Sequence, residues 1–358
     1  MATEHATTGS CIVLGMRRTF ALVCLCLVSS TFVGAAGRAS APARKTLDFY
    51  FIDVEGGQAT LVVTPAGQTL LIDAGYAGRG GRDQERVLAA ARDAGVGGID
   101  YLLVTHFHPD HVGGVPELAA RIPIGTFVDY DAPLGTDRMT RGSFAAYAPV
   151  RDGHPHLVPK PGDRLLLDGI DATIVSAGGT LLAKPLRGAG RRTEGCAMVE
   201  EQIEDGTENY RSVGVRLRHG KFRFLDIGDL SGHTLVDLFC PTNLVGEVSV
   251  YLVAHHGNYD TNVPAFVRAL RPRVAVMNNG VTKGGDPAAL STLRRESGLD
   301  LWQLHASWNE GAINADEMFI ANVDDGQTGY WIKLEASRDG SFVVTNGRTG
   351  VTRKYAPR

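Results

Sequence analysis

The sequence predicts one layered α/β domain that follows a short leader. Strand patterns alternate with turns and amphipathic helix patterns through most of the chain, and this order of strands and a helix occurs twice. No internal repeat with a period of 20–50 residues is visible. The length of 358 residues would suit two average domains, but folds built on large sheets exceed 250 residues as one unit.

The composition is that of an ordinary folded protein. Hydrophobic residues make up 44% and charged residues 21%, which excludes disordered, collagen-like and coiled-coil chains. The net charge of −3 provides no overall positive field for nucleic acid, so nucleic acid remains a possible but disfavoured partner. Five cysteines are too few for a small fold held together by disulfides.

The N-terminus is typical of a secretory signal peptide. Arg17 and Arg18 precede an apolar run over 20–33, and small residues follow at 34–37. The apolar run is shorter than the roughly 20 residues that span a bilayer, and an uncleaved membrane anchor is the alternative. We therefore predict a signal peptide and leader at 1–41, a periplasmic or secreted bacterial protein, and no stable membrane span after cleavage.

The predicted mature chain, residues 42–358, carries a net charge of about −5, because the leader has three arginines and one glutamate. It keeps two cysteines, Cys196 and Cys240. In an oxidising compartment they could pair, and two buried free thiols are the alternative.

The first half of the domain begins with short strands. Apolar, β-branched runs separated by glycine turns predict strands over 47–54, 59–64 and 68–73. A helix is expected from Asp83 to Gly95, and a strand buried on both faces over 101–105.

Residues 131–195 are the least regular part of the sequence, and within them we expect one hairpin, with strands over 164–167 and 171–175. Arg187, Arg191 and Arg192 lie in a glycine-rich stretch. This stretch is either a solvated surface loop or a lid that contacts the substrate.

The second half repeats the alternation. Strands are predicted over 212–217, 222–227, 248–254 and 274–277, and a closing hairpin over 330–334 and 341–345. One helix is expected from Asn262 to just before Pro272. A second begins at Asp286 as N-cap, with Pro287 in the first turn, and ends at Gly298.

A cluster of ligand-type side chains follows the strand at 101–105. Four of them fall within six positions: His106, His108, Asp110 and His111. Imidazole nitrogens and carboxylate oxygens are ligands that zinc prefers. The two histidines at spacing two can converge on one cation, and the adjacent aspartate and histidine can face a second.

Two further candidates follow later strands. Asp229 lies beyond a glycine at the end of the strand at 222–227, where its two oxygens could bridge two metals. Asp226 is the competing carboxylate. His255 and His256 end the next strand.

These motifs resemble the metallo-β-lactamase superfamily over residues 47–334. The chain looks most like the hydrolase domain of ComEC-type competence proteins and the phosphorylcholine esterases. The resemblance rests on the following segments: Phe51 to Val54, Leu71 to Gly75, the HxHxDHxGG segment at 106–114, Gly228-Asp229 and His255-His256-Gly257.

The resemblance implies a four-layer αββα sandwich with two divalent cations, zinc favoured and manganese the alternative. It implies His106 and His108 on one metal, Asp229 as the bridge, and a second-metal group formed by Asp110, His111 and His255. Asp73 would support the metal loop through hydrogen bonds.

The sequence departs from the family pattern at one ligand, because no histidine stands where many members have one before the bridging aspartate. Asn209 or water would complete the first metal. His305 and Trp302 end a late strand and could reach the site, whereas Asp286 is expected to cap a helix.

The resemblance implies an exported hydrolase in which a hydroxide activated by two metals attacks the substrate. Asp110 would hold the metal that polarises the substrate oxygen. His256 would protonate the leaving group or support the site, and a structural role is the alternative. The predicted partner is a small-molecule or phosphodiester substrate. The alternatives are a lactone, lactam or other carbonyl ester, or a metal-containing binding module without turnover.

Overall fold

The computed structural model describes residues 44–134, 137–199, 207–324 and 328–358. The predicted signal peptide and leader, residues 1–41, lie outside these ranges. Within the described ranges, no helix is both long and apolar enough to cross a membrane.

Eighteen strands and seven α-helices are numbered along the chain. The strands are β1 Leu47–Phe51, β2 Thr60–Val63, β3 Thr69–Ile72, β4 Ile99–Leu103, β5 Ile124–Val128, β6 His156–Leu157, β7 Arg164–Leu165, β8 Asp171–Ala177, β9 Thr180–Leu181, β10 Gly214–His219, β11 Phe222–Asp226, β12 Val250–Leu252, β13 Val274–Met277, β14 Asp300–His305, β15 Ile320–Asn322, β16 Ile332–Ala336, β17 Phe342–Asn346 and β18 Thr352–Tyr355. The helices are α1 Arg82–Asp93, α2 Pro109–Val112, α3 Val115–Ala119, α4 Arg138–Arg151, α5 Gly232–Phe239, α6 Pro264–Leu270 and α7 Pro287–Arg295.

Each of the two sheets is mixed. The first has the order β18-β17-β16-β1-β2-β3-β4-β5-β6, and its strands are antiparallel up to β3 and parallel from β3 to β6. The second has the order β15-β14-β13-β12-β11-β10-β8-β7, with β9 beside β8, and is parallel from β11 to β15. The parallel strands of each sheet therefore end at one common edge.

The two sheets pack face to face through a core of aromatic and aliphatic side chains. Phe49 of β1 lies with its ring centroid 4.7 Å from that of Phe224 of β11, and Phe51 lies 5.9 Å from Phe224. All three rings are fully buried. Tilted aromatic pairs of this kind contribute about 0.5–1.5 kcal/mol beyond the burial of their area.

Helices cover the outer faces of both sheets. Side chains of α1 and α3, among them Val87 and Leu118, join the core of the first sheet. On the second sheet, strand neighbours alternate: Phe224 faces the inner core, whereas Leu225 packs outward with side chains of α5, α6 and α7. The order helix, sheet, sheet, helix confirms the predicted αββα sandwich.

Most predicted elements form within a few residues of their expected bounds. The helix expected from Asp83 is α1, and the hairpin expected at 164–175 is the pair β7–β8. The closing hairpin is β16–β17, extended by β18.

The interpretation of 131–195 as irregular was wrong for the 14-residue helix α4. Its N-cap Asp137 accepts a hydrogen bond from Thr140 N at 2.8 Å, but Gly142 and Pro149 inside the segment weaken the helix pattern.

The two cysteines of the predicted mature chain form a disulfide. Cys196 and Cys240 are joined across a sequence separation of 44 residues, with their Cα atoms 5.8 Å apart. Of the two alternatives for these cysteines, the structure therefore shows the paired one.

Phe224→Ala should lower the free energy of unfolding by about 3–5 kcal/mol, because it leaves a cavity between the sheets. Leu166→Ala is the control, since this leucine is 78% exposed and its loss should cost less than about 0.5 kcal/mol. Urea unfolding followed by circular dichroism measures both. Equal losses of unfolding free energy in the two variants would contradict the assignment of Phe224 to the core between the sheets.

Candidate metal centre

The predicted ligands meet where strands of both sheets end. His106 follows β4 in the first sheet, whereas Asp229 and His256 follow β11 and β12 in the second. Parallel strands expose their carboxyl ends at one edge, so loops from both sheets converge there.

Helix α2 presents the aspartate and histidine of the HxHxDH segment in its first turn. His108 is the N-cap and Pro109 the first helical residue, which suits proline because its missing N–H needs no partner there. Gly114 follows, and a Cβ on it would lie 2.1 Å from the carbonyl oxygen of Ala74. Glycine at this position lets the metal loop lie directly on the backbone that follows β3.

Four side chains form a compact buried group: Asp110, His111, Asp229 and His256. One potential ligand atom from each lies within 4.8 Å of all the others. His256 Nε2 lies 3.1 Å from Asp110 Oδ2 and 3.2 Å from Asp229 Oδ2. Two carboxylates and two imidazoles at these distances can hold one divalent cation.

A second set of nitrogens also lies near Asp229. His106 Nε2 lies 3.0 Å from His108 Nδ1 and 3.8 Å from Asp229 Oδ2. Asp229 Oδ2 is thus close to this histidine pair and to the first group, as expected of a bridging carboxylate.

The structure arranges His255 and His256 differently from the sequence-based expectation. It brings His256 to Asp110 and His111, while His255 Nε2 lies 3.7 Å from Asp229 Oδ2 and 3.5 Å from Asn209 Nδ2. Both histidines have left-handed backbone angles, with φ of 50° and 55°. This tight turn after β12 directs two consecutive side chains toward the same carboxylate.

The competing carboxylate, Asp226, forms no hydrogen bond or ion pair with a histidine in the described part of the chain. It accepts hydrogen bonds from Gly228 N and Gln58 Nε2, both at 2.9 Å. Burial and the nearby Asp73 raise its pKa to about 7. Asp229 is therefore the carboxylate at the centre.

The side chain of Asp73 supports the metal-ligand loop through its contacts with Thr105 and His111. It accepts hydrogen bonds from Thr105 N at 2.8 Å and Thr105 Oγ1 at 2.7 Å, and His111 Nδ1 lies 2.7 Å from its Oδ2. This leaves His111 Nε2 facing Asp110 and Asp229, at 3.3 Å from each. A carboxylate behind a ligand histidine fixes its ring and its tautomer.

Charge and burial compete strongly at this site. Burial lowers the pKa of His106 well below its usual value, and the neighbouring histidines lower it further. Burial would also lower the pKa of His111, but Asp229, Asp110 and Asp73 hold it well above the usual value. Burial opposes ionisation of Asp229, yet the histidines around it hold its pKa well below the normal range. Ionised carboxylates and neutral imidazoles are the forms that bind metals, so His111 would release its proton when a cation binds.

Several polar atoms at the centre have no hydrogen-bond partner within the described residues. They are Asp229 Oδ1, His256 Nδ1 and Asn209 Oδ1, and all three are buried. Buried polar atoms are nearly always satisfied, and an ion is one recognised explanation for exceptions. The site therefore offers imidazole nitrogens and carboxylate oxygens as metal ligands, and some of its buried polar atoms lack partners. Both features fit divalent cations.

Lys283 is a site residue that the sequence analysis missed. Its ammonium group forms an ion pair with Asp110 and lies 3.2 Å from the hydroxyl of Tyr76. It belongs to the loop after β13, the next parallel strand beyond β12. Its position after the carboxyl end of that strand was the only sequence signal that could have placed it at the site. Nothing in the loop sequence distinguishes this lysine from a surface one.

The remaining candidates have other roles. Asp286 accepts a hydrogen bond from Ala288 N at 2.9 Å, which confirms it as the N-cap of α7. Trp302 is buried in the core, where its indole N–H donates to the hydroxyl of Tyr355. His305 Nδ1 lies 3.1 Å from the carbonyl oxygen of Ala306, away from the ligand group.

Residues 52–179 match the family model of the metallo-beta-lactamase superfamily. No curated protein matches the sequence.

Similar solved structures include the metallo hydrolase Igni18 from the archaeon Ignicoccus hospitalis, at 15% identity and a TM-score of 0.40, covering 72% of this chain and 94% of that one. A diphosphatase of the PhnP family is 13% identical with a TM-score of 0.38 and the same coverage of both chains. MEM-A1, a subclass B3 metallo-beta-lactamase from a soil metagenome library, is 12% identical with a TM-score of 0.34, covering 73% and 77%.

Asp73→Asn should weaken binding of Zn²⁺ about 10–100-fold, because it removes the carboxylate that orients His111. Asp226→Asn is the matched control, since this carboxylate is also buried at the same edge but has no histidine as hydrogen-bond or ion-pair partner among the described residues. Competition with a chromophoric chelator measures the affinity. Equal weakening by both substitutions would contradict a specific role for Asp73.

Proposed function

We propose that this protein is an exported metal-dependent hydrolase that acts on phosphodiester-type substrates. The observation that carries the proposal is the convergence of Asp110, His111, Asp229 and His256 at the edge shared by the two sheets. At this group, several buried nitrogen and oxygen atoms have no hydrogen-bond partner among the described residues.

We propose two divalent cations, with zinc favoured and manganese the alternative. Asp110, His111 and His256 would hold one, His106 and His108 the other, and Asp229 would bridge them. Nitrogen and carboxylate donors support zinc. When bound, such a pair lowers the pKa of a coordinated water and polarises the scissile bond.

The chain's own residues hold the ligands and receive the substrate. Asp73 keeps His111 Nε2 directed at the centre, so that little reorganisation is needed on binding. A cavity of about 370 Å³ opens beside His255, His256 and Lys283, and polar side chains of its walls, such as Asn258 and Asn309, can bind a substrate. His256 belongs to the metal group and also lines this cavity, so we propose that it supports the site as a ligand and does not protonate the leaving group.

Lys283 favours an anionic substrate over a neutral one. It lines the cavity, and the attraction of Asp110 raises the pKa of its ammonium group, although burial opposes this. A phosphodiester carries a negative charge at the reacting group, so it gains from this cation before and during the reaction. A lactone is neutral, so the ammonium group does not attract it by charge before bond breaking begins.

The disulfide supports export. Bonds such as Cys196–Cys240 persist in oxidising compartments and are rare in the cytosol. Together with the predicted signal peptide at 1–41, it favours the periplasm or the exterior of a bacterium.

The purified protein loaded with Zn²⁺ or Mn²⁺ should hydrolyse bis(p-nitrophenyl) phosphate, and Asp229→Ala should lower kcat by at least about a hundredfold, because the bridge between the metals is lost. Absorbance of p-nitrophenolate measures the rate. Asp237→Ala, which removes an exposed carboxylate from α5, should keep full activity.

Full activity of a folded Asp229→Ala protein would overturn the bridging role. Metal-loaded protein that cleaves a lactone but no phosphodiester would instead favour a carbonyl ester as substrate. Metal retention without any turnover would favour a binding module.

Lys283→Gln should raise KM for bis(p-nitrophenyl) phosphate about tenfold, the equivalent of 1.4 kcal/mol, and change kcat less. Its activity toward neutral p-nitrophenyl acetate should change less than twofold, and Lys283→Arg should retain part of the effect. Lys160→Gln, an exposed lysine remote in sequence, is the control. Metal content is measured in each variant, and an equal loss toward both substrates would contradict selection by charge.

A further inference from the structure

A second cavity, larger than the one beside the metal centre, lies at the other end of the second sheet. It encloses about 710 Å³ between the segment 187–195 and helix α6. Arg223, which contributes to its wall, stands at the beginning of β11, whereas Asp229 follows the end of this strand. None of the proposed metal ligands lines it.

The wall formed by 187–195 is fixed in place. This segment runs beside residues 241–244 through hydrogen bonds from Leu186 N to Leu244 O and from Asn243 N to Arg191 O, both 2.9 Å. The disulfide Cys196–Cys240 closes the same pair of segments covalently. The cavity is therefore built from ordered backbone, and the backbone of the arginines on this wall has a defined position.

Arginine dominates the lining. Seven arginines contribute to it, against the two acidic residues Glu194 and Glu247. Arg191 and Arg271 share Glu247, each at 3.0 Å, and Arg268 pairs with Glu296 at 2.9 Å. The other four form no ion pair in the described part of the chain: Arg187, Arg192, Arg216 and Arg223.

Arg216 forms part of the base of the cavity and is only 4% exposed. One of its terminal nitrogens donates to Val245 O at 2.9 Å, but its Nε has no partner among the described residues. Burial lowers its pKa to about 10; Asp171 opposes this shift, whereas the nearby Arg223 and Arg218 contribute to it, and Arg216 stays charged at neutral pH. A buried charge without a directly paired counterion is costly, and a bound anion would compensate it.

We propose that this cavity binds a small compound that carries two or more phosphate groups. Guanidinium groups match phosphate oxygens through paired hydrogen bonds, and four unpaired arginines exceed what one phosphate needs. The volume is that of a small-molecule site. No aromatic side chain of the described residues lines the cavity, so these residues offer no surface on which the bases of a single-stranded nucleic acid would stack.

The site would act separately from the hydrolytic centre, and its existence does not depend on the proposed function. The sequence-based alternatives for Arg187, Arg191 and Arg192 were a solvated loop or a lid over the substrate. The structure assigns these arginines to a cavity of their own.

Isothermal titration with inorganic pyrophosphate, at constant ionic strength, tests the proposal on the full chain. One site per protein is expected, with pyrophosphate bound at least about tenfold more tightly than orthophosphate. The double substitution Arg187→Gln/Arg192→Gln should weaken binding about tenfold or more, and Arg223→Gln should weaken it as well. The double variant removes two exposed side chains and should leave the melting temperature nearly unchanged.

Two control variants make the result specific. Arg92→Gln/Arg295→Gln removes the same charge from exposed positions at the ends of α1 and α7 and should change the affinity less than about twofold. Asp229→Ala disables the metal centre and should also leave the affinity unchanged.

If both double variants weaken pyrophosphate binding equally, the effect comes from the overall charge of the protein and not from the cavity. That result would overturn the proposal. Loss of binding in Asp229→Ala alone would assign pyrophosphate to the metals. No binding at millimolar concentration, or tighter arginine-dependent binding of a single-stranded oligonucleotide, would likewise contradict a site for a small phosphorylated compound.

Discussion

The buried carboxylate of Asp73 is the interaction on which the organisation of the metal centre depends. A buried carboxylate is costly unless its oxygens are satisfied, and here Thr105 and His111 satisfy them. This requirement ties the end of β3 to the end of β4 and to helix α2. Asp73 has a left-handed backbone with φ of 58°, a conformation that costs energy for a residue with a side chain and persists only where its surroundings enforce it.

The two sheets must also pack in one relative position for the ligand set to be complete, because each sheet supplies only part of the ligands. Gly228 provides this contact from the second sheet. A Cβ on it would lie 2.8 Å from Cβ of Thr105, and its φ is 53°, so a larger residue would push the loops apart. The same threonine thus serves as hydrogen-bond partner of Asp73 in its own sheet and as the surface against which the other sheet's loop rests.

The fold and the local part of the site could be predicted from the sequence, because their signals are short-range. The HxHxDH segment contains four candidate ligands within six residues, and strand and helix patterns are local as well. Lys283 could not be found in this way, since it meets Asp110 across 173 residues. The positions of His255 and His256 depend on a left-handed turn that the sequence does not signal, and Pro149 obscured helix α4.

The ends of both sheets have a consequence for how copies of this protein meet in a crowded compartment. An open sheet edge can pair with a neighbouring molecule, and such pairing starts aggregation. Here β6 and β7 have only two residues and β15 only three. The longer edge strand β18 carries Arg353 and Lys354, whose like charges on two molecules would repel each other. The two large sheets are thereby kept from recruiting strands from other chains.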